Sequence, residues 1–280
     1  MSASPKKFKL AISPCPNDTF IFDALINGKI DTQGLQFECV FKDVEHLNKG
    51  AIQNEFDICK LSIFTMGIVS KEYQLLNSGA ALGKGVGPLF ISKKIFTNPS
   101  SEIKSVAVPG LNTTANFLFS HFFPEISVKR DMLFSQIEDA VLNEVTDAGV
   151  IIHENRFTYQ QKGLVKIADL GELWEKKYSL PIPLGGIAVR RSFDIQTKMK
   201  IENLIRKSLE FSFSNPGQSM DFVRNHAQEM QEDVIKKHIE LYVNQHSLDL
   251  GEDGKAAVKA MLEKAADAGM FPPLGINLFV

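Results

Sequence analysis

His153 follows an apolar run, Gly149-Val150-Ile151-Ile152, and precedes Glu154-Asn155-Arg156. An imidazole titrates near neutral pH, so one standing at the carboxyl end of a strand can take a proton from a bound molecule as a general base. A histidine there can equally be a hydrogen-bonded structural residue, and the local residues leave both roles open. Three further segments set polar groups where a strand gives way to a helix: Ser13–Thr19, Lys60–Ser62 and Gly110–Thr114. Parallel α/β sheets collect ligands at such places, because the first N–H groups of each helix point outward without intrahelical partners. Asp18 or Asn17, Ser62 and Thr113 also suit the plain task of capping those helices, and the two tasks are compatible.

Other chemistries have weaker support. Cys15 precedes a helix and could be a thiol of lowered pKa, although a cysteine in such a loop is more commonly a small buried residue. The six histidines (His46, His121, His153, His226, His238, His246) show no metal-ligand spacing, neither HExxH nor His-x₃₋₅-His, and no CxxC is present. The sequence therefore predicts no metal. Gly83-x-Gly85-x-Gly87 lacks the third glycine of a dinucleotide fingerprint, does not stand between a strand and a helix, and lacks the Gly-Lys-Ser/Thr ending of a P-loop. The 21 phenylalanines fall mainly at core spacing and are read as packing first.

The elements that must hold these groups are legible in the patterning. Phe8–Ile12 is a buried strand closed by Ser13-Pro14-Cys15-Pro16-Asn17-Asp18, after which Phe20, Ile21, Ala24 and Leu25 mark a helix ending at Asn27-Gly28. Leu35, Phe37, Cys39 and Phe41 alternate as a strand, Val44–Gln53 has helical spacing, and Phe56–Leu61 is again a strand. This β-α-β-α-β order favours a mostly parallel sheet covered by helices. Tyr73–Leu76 and Pro88–Ile91 bracket a stretch with four glycines in nine residues, which predicts positive φ or close backbone approach. After the polar connector Lys93–Lys104 a second pattern begins: strand Ser105–Val108, helix Thr113–Phe122, helix Gln136–Asn143, and strands Ala148–Ile152 and Leu164–Ala168. Pro181-Ile182-Pro183-Leu184-Gly185-Gly186 is read as a second connector, leading to a strand Ile187–Arg190. Helices over Asp194–Phe213, Ser219–Asn225, Glu229–Val243 and Asp253–Ala268 follow. The expected layout is a discontinuous larger lobe, 1–93 with 187–280, and an inserted lobe, 94–186, with the ligand in the cleft between them.

Composition bounds the class. At about 150 residues per domain, 280 residues make two lobes or one large domain, and the net charge is −2. No basic excess exists to neutralise a polyphosphate, so nucleic acid is not expected as a partner. No apolar run approaches the ~18 residues of a membrane span, and Met1-Ser2-Ala3-Ser4-Pro5-Lys6-Lys7 does not lead into a secretory signal. Three widely spaced cysteines do not make a disulfide framework. The expectation is a cytoplasmic protein without membrane insertion.

Several stretches together resemble one family, the 1,4-dihydroxy-6-naphthoate synthases of the futalosine route to menaquinone. They are Ser13-Pro14-Cys15-Pro16-Asn17-Asp18-Thr19-Phe20, Asp57-Ile58-Cys59-Lys60-Leu61-Ser62, Ser78–Pro88 with its glycines, and Ile152-His153-Glu154-x-Arg156-Phe157-Thr158-Tyr159. Asp169-Leu170-Gly171-x-x-Trp174, Pro181–Gly186, Tyr242-Val243-Asn244 and Asp249-Leu250-Gly251 complete the set, which covers about residues 8 to 252. Ile95–Lys104 and the last ~25 residues carry no motif of it.

The resemblance implies a periplasmic-binding-protein-like (type II) clamshell of two α/β lobes, each a mixed, mostly parallel sheet flanked by helices. It implies conversion of cyclic dehypoxanthinyl futalosine to 1,4-dihydroxy-6-naphthoate by carbon–carbon cleavage, with His153 as the base and with no metal or redox cofactor. The partner it implies is a small aromatic carboxylate. Thr113 and Thr114 at a helix N-terminus suit that carboxylate, Asn112 could add a bond, and Ser62 could meet a ribose-derived hydroxyl or the ketone. Ser13, Asn17, Asp18 and Lys60 complete the expected binding set. Two other functions are weighed beside it. A solute- or effector-binding protein of the same architecture would carry a signal peptide, a lipobox or a helix-turn-helix domain, none of which is seen. The chorismate-dehydrating step of the same pathway needs an acidic base, for which Glu154 is available and His153 is not suited.

Overall fold

The computed structural model describes residues 7–227 and 231–280. Residues 1–6 and the expected helix start at Glu229 lie outside the described residues. The chain opens with β1 (Lys7–Ile12), α1 (Pro16–Ile26), β2 (Gln36–Phe41), α2 (Val44–Ile52), β3 (Ile58–Ser62), α3 (Ile63–Ile68), β4 (Tyr73–Leu75) and β5 (Ala81–Gly83). It continues with β6 (Leu89–Ser92), α4 (Pro99–Glu102), β7 (Ser105–Val108), α5 (Thr114–Phe122), β8 (Val128–Asp131), α6 (Ile137–Leu142), β9 (Ala148–Ile151), α7 (Asn155–Thr158), β10 (Val165–Asp169) and α8 (Leu170–Tyr178). The long β11 (Ile182–Arg190) then precedes α9 (Ile195–Ser214), α10 (Pro216–His226), α11 (Glu232–Tyr242), α12 (Gln245–Leu248) and α13 (Gly251–Asp267).

Two sheets result. The first runs β2-β1-β3-β11-β4 with β5 also on β11, and the second runs β10-β6-β9-β7-β8. Both are mixed. Parallel pairing joins β1 to β2 and β3, and β7 to β8 and β9, while β11 and β6 bring in the antiparallel neighbours. Antiparallel partners therefore weigh more than the β-α-β-α-β opening predicts, because β11 and β6, which arrive from the other sheet, insert inside their sheets antiparallel to the neighbour on each side. β6 pairs in the second sheet although it precedes residue 93, and β11 enters the first sheet at Ile182. The passages between sheets thus fall at 84–88 and 170–181, earlier than the expected 93/94 and 186/187. Pro181–Gly186 is mainly strand rather than connector. Pro183 lacks an N–H, and the register of β11 against β5 shifts between Pro183 and Gly185, where that missing donor is tolerated.

Alternation along each strand sorts side chains to two faces. Leu10 and Ile12 of β1 pack with Phe20, Ile21, Leu204 and Leu209 under α1 and α9. Ala11 faces the opposite way, into an apolar cluster that runs through Cys59, Leu61, Phe90, Phe117 and Trp174 and so joins both sheets. In the second sheet Leu89 and Ile91 face Ile137 and Val141 of α6, and Phe90 between them faces the shared cluster. Full burial of one such side chain is worth about 1.5–3 kcal/mol. Local chemistry fixes the ends: Asp43 caps α2 by accepting from the Glu45 and His46 N–H groups, and Asp194 and Asp169 cap α9 and α8 likewise. The glycine-rich stretch does what its composition predicts. Gly79 and Gly85 have φ of +89° and +69°, and a Cβ on Gly87 would lie 2.3 Å from the Gly171 backbone.

Candidate active site

A cavity of about 90 Å³ is lined from both sheets. One water needs about 10–15 Å³ on that measure, so the space suits a small organic molecule. Ser13, Asn17, Asp18, Lys60, Ser62, Thr113, Thr114 and His153 all line it, among apolar walls from Val44, Leu47, Leu61, Val86, Ile152 and Leu184. Asn112 is not among the lining residues. Its side chain donates to Glu45 Oε1 at 2.7 Å and its N–H to Glu45 Oε2 at 3.2 Å, which holds the loop before α5 against α2.

Asp18 is the hub of the first-sheet side. It is the third residue of α1, whose N-cap is Cys15, so the expected capping by Asp18 or Asn17 does not occur. The Asp18 carboxylate folds back instead and accepts from the Ser13 N–H at 3.1 Å and Ser13 Oγ at 2.8 Å. Its other oxygen accepts from Asn17 Nδ2 at 2.9 Å and from Lys60 Nζ at 2.6 Å. The ammonium and carboxylate are both buried. A buried charge is tolerable only when paired and hydrogen-bonded, and here both conditions hold. Ser62 stands at the N-cap of α3 without a side-chain cap bond. Asn48 holds it by two bonds, Nδ2 to Ser62 Oγ at 3.0 Å and Ser62 N–H to Oδ1 at 2.9 Å. The hydroxyl hydrogen of Ser62 is not consumed by either.

Thr113 caps α5 as expected: its Oγ1 accepts from the Asn116 N–H at 3.1 Å and donates to Gly110 O at 2.7 Å. Thr114 Oγ1 donates to Leu184 O at 2.8 Å and accepts from the Phe64 N–H at 3.2 Å. Both hydroxyls are engaged within the protein, so an anion at this helix start would meet main-chain N–H groups of the first turn rather than threonine hydroxyls.

His153 lies just past β9 with a left-handed φ of +57°, a conformation that few non-glycine residues adopt and that clusters at functional sites. Its ring stands edge-on to Phe134, 4.9 Å between centroids, and stacks on His238 at 6.1 Å and 15°. His153 Nε2 is buried with no hydrogen-bond partner among the described residues. Burial pushes its pKa down to about 4; the Asp18 carboxylate pulls it up and the Lys60 ammonium pushes it further down. The imidazole is therefore neutral at pH 7, and it titrates well below the neutral range expected from its type. Burial likewise pushes the Cys15 thiol well up, helped by the charge of Glu154, so Cys15 is a buried thiol and not a ready nucleophile.

Two residues beside the cavity are absent from the expected binding set. His238, fully buried on α11, has its pKa pushed well down by burial and by His153 and Lys60. With the ring neutral, its Nε2–H donates to Asn17 Oδ1 at 3.0 Å, which extends the chain to Asp18 and Lys60. Its Nδ1 is 3.8 Å from Glu154 Oε2. Tyr242, one turn on, lines the cavity. A signal existed: Val234, His238 and Tyr242 recur at i, i+4, i+8 on the buried stripe of α11. Other motif residues serve the frame. Arg156 bonds the Gly87 carbonyl and pairs with Asp169 Oδ2 at 2.7 Å, beside the touching Gly87 and Gly171 backbones.

A family model described as menaquinone biosynthesis matches residues 8–267. A 1,4-dihydroxy-6-naphthoate synthase of Thermus thermophilus is 39% identical over 274 residues, 97% of this chain and 98% of that protein. One from Streptomyces coelicolor is 40% identical over 280 residues, 97% of each chain. Among solved structures, a protein from Archaeoglobus fulgidus superposes with a TM-score of 0.89 at 32% identity, covering 95% of this chain and 98% of its own. The ligand-binding component of an ABC-type import system from Staphylococcus aureus has a TM-score of 0.72 at 11% identity, over 98% and 96% of the two chains. A Candida albicans protein described as having the generic periplasmic binding protein fold has a TM-score of 0.69 at 12% identity, over 96% and 92% of the two chains, and likenesses of this kind carry that fold and nothing about function.

Proposed function

Since the chain belongs to the menaquinone-biosynthesis family, we propose that it is a carbon–carbon lyase that converts cyclic dehypoxanthinyl futalosine to 1,4-dihydroxy-6-naphthoate. The observation that carries the chemistry is a neutral imidazole, His153, whose buried Nε2 has no partner, on the wall of an apolar cavity. A neutral ring with a nitrogen left unbonded can accept a proton as a general base.

In this proposal His153 removes a proton from the bound substrate, and the bond cleavage that follows is driven by formation of the aromatic product. A positioned base contributes about 10²–10⁴ in rate. The Lys60 ammonium and the free hydrogen of Ser62 face the developing enolate-like oxyanion, where oriented donors contribute a similar factor. The substrate carboxylate sits at the start of α5 on main-chain N–H groups, and Val44, Leu47 and Leu184 pack its ring. The second sheet acts as an inserted lobe joined at 84–88 and 170–181, so that closing the cleft excludes water.

A cytoplasmic location belongs to the same proposal. All three cysteines are free thiols, as in a reducing compartment, and among the described residues no helix is long and apolar enough to cross a membrane. The deciding assay incubates purified protein with cyclic dehypoxanthinyl futalosine and follows the dihydroxynaphthoate by mass. Folded protein that leaves the substrate intact would sink the proposal.

A further inference from the structure

Cys15, His153 and Glu154 meet beside the cavity although 138 residues separate the first two. One potential ligand atom from each (the thiol sulfur, an imidazole nitrogen and a carboxylate oxygen) lies within 4.8 Å of the other two. Cys15 comes from the end of β1 and the other two from the end of β9, so the cluster is built from both sheets. Adjacent side chains such as His153 and Glu154 ordinarily diverge; the left-handed φ of His153 turns the chain at this point. Cys15 and Glu154 are 6% and 8% exposed, and Nε2 of His153 is buried without a partner. Ser13 and Asn17, on either side of Cys15, line the cavity and so mark an entry path.

We propose that these three residues form an inhibitory site for a borderline-soft divalent cation, Zn²⁺ first among them. Tetrahedral zinc takes sulfur at about 2.3 Å and nitrogen or oxygen at about 2.0–2.2 Å, which sets ligand atoms about 3.3–3.6 Å apart. The present separations need to shrink by at most about 1.5 Å to reach that geometry. Thiolate plus carboxylate supply two negative charges against the two positive charges of the ion, and the thiol proton leaves to solvent as the Zn–S bond forms. The fourth position faces the cavity and takes water. A donor set of sulfur, nitrogen and oxygen selects zinc, cobalt or nickel over magnesium and calcium. The bound ion occupies the lone pair of His153 and ties the end of β1 to the end of β9. Metal and turnover then exclude one another. Binding is independent of the function proposed above; only the inhibition rests on it.

Co²⁺ serves as a spectroscopic probe and needs no substrate. Titration of the metal-free protein should give one equivalent of Co²⁺ with a thiolate-to-cobalt charge-transfer band, and Zn²⁺ should displace it. Cys15→Ser should abolish the band, Glu154→Gln should weaken binding at least tenfold, and Cys39→Ser should leave it intact. X-ray absorption on the zinc-loaded wild type should show one sulfur at about 2.3 Å, a test that does not depend on any variant folding. A shell of nitrogen and oxygen alone, or a band that survives Cys15→Ser, overturns the site. Sulfur-bound zinc in protein that turns over at an undiminished rate overturns the inhibition.

Discussion

Acidifying the assay from pH 7.5 to 5.5 should leave the proposed base almost fully competent. Burial holds His153 at about 4 against an ordinary 6.5, a preference for the neutral ring of about 3 kcal/mol at 1.36 kcal/mol per pH unit. At pH 5.5 a group titrating at about 4 is about 97% unprotonated, whereas one at 6.5 would be about 9% unprotonated. The quantity to measure is kcat/KM, which reports groups in the free protein, from initial rates of product formation between pH 5 and 8 at constant ionic strength. Reading at 5.5 keeps clear of the region near 4 where carboxyl groups, including one on the substrate, titrate. The expected profile falls by only about 3% between pH 7.5 and 5.5 and by about 10% at pH 5. A fall of about tenfold between pH 7.5 and 5.5 would mean that the essential base is an ordinary, solvated imidazole, and the assignment of His153 on grounds of its burial would be refuted.

His153→Asn, chosen because asparagine tolerates the left-handed φ, should lower kcat at least ~10²-fold while far-ultraviolet circular dichroism stays unchanged. Lys60→Met strands the Asp18 carboxylate and should cost about 3–5 kcal/mol in urea unfolding, with Asp18→Asn in the same chain recovering much of it. Thr114→Val loses the bonds to Leu184 O and from the Phe64 N–H and should cost about 1–3 kcal/mol of stability and raise KM for the carboxylate substrate. Folded His153 and His238 both titrate below 6.5, so the unfolded chain binds more protons as pH falls through 6.5. Stability is therefore full above 6.5 and declines toward 4, and the melting temperature of His238→Gln should fall less steeply across that window than that of the wild type.

Periodicity made the frame legible where side chains face one way. Leu35, Phe37, Cys39 and Phe41 pack together on the first sheet as their alternation predicts, and His153 stands where Gly149–Ile152 predicts a strand end. The exceptions have local causes. β8 reads Val-Lys-Arg-Asp and is largely exposed at a sheet edge, so no apolar alternation marks it. β11 hides behind prolines and glycines that imitate a turn. Asn112 is directed to Glu45, 67 residues away, a partner that no local pattern reveals. The Cys15–His153–Glu154 cluster escaped for the same reason, since metal motifs are recognised by short spacing and this one is assembled by the sheets.

The groups around the cavity are held in states that folding alone disfavours. The left-handed backbone at His153 costs about 1–3 kcal/mol, its ring and that of His238 are kept from protonation by burial, and Asp18 and Lys60 are ionised groups withdrawn from water. A shell built for stability would place apolar side chains here, each worth about 1.5–3 kcal/mol when fully buried. The large cores on both sheets offset these costs, and what they secure is specific. Nε2 of His153 has no hydrogen-bond partner among the described residues, and Phe134 and His238 hold the ring by its edge and face instead. Most buried polar side-chain atoms have a hydrogen-bond partner. A ring left unbonded at Nε2 and kept neutral, on a strained residue, fits the proposed role of taking a proton from a molecule that enters the cavity.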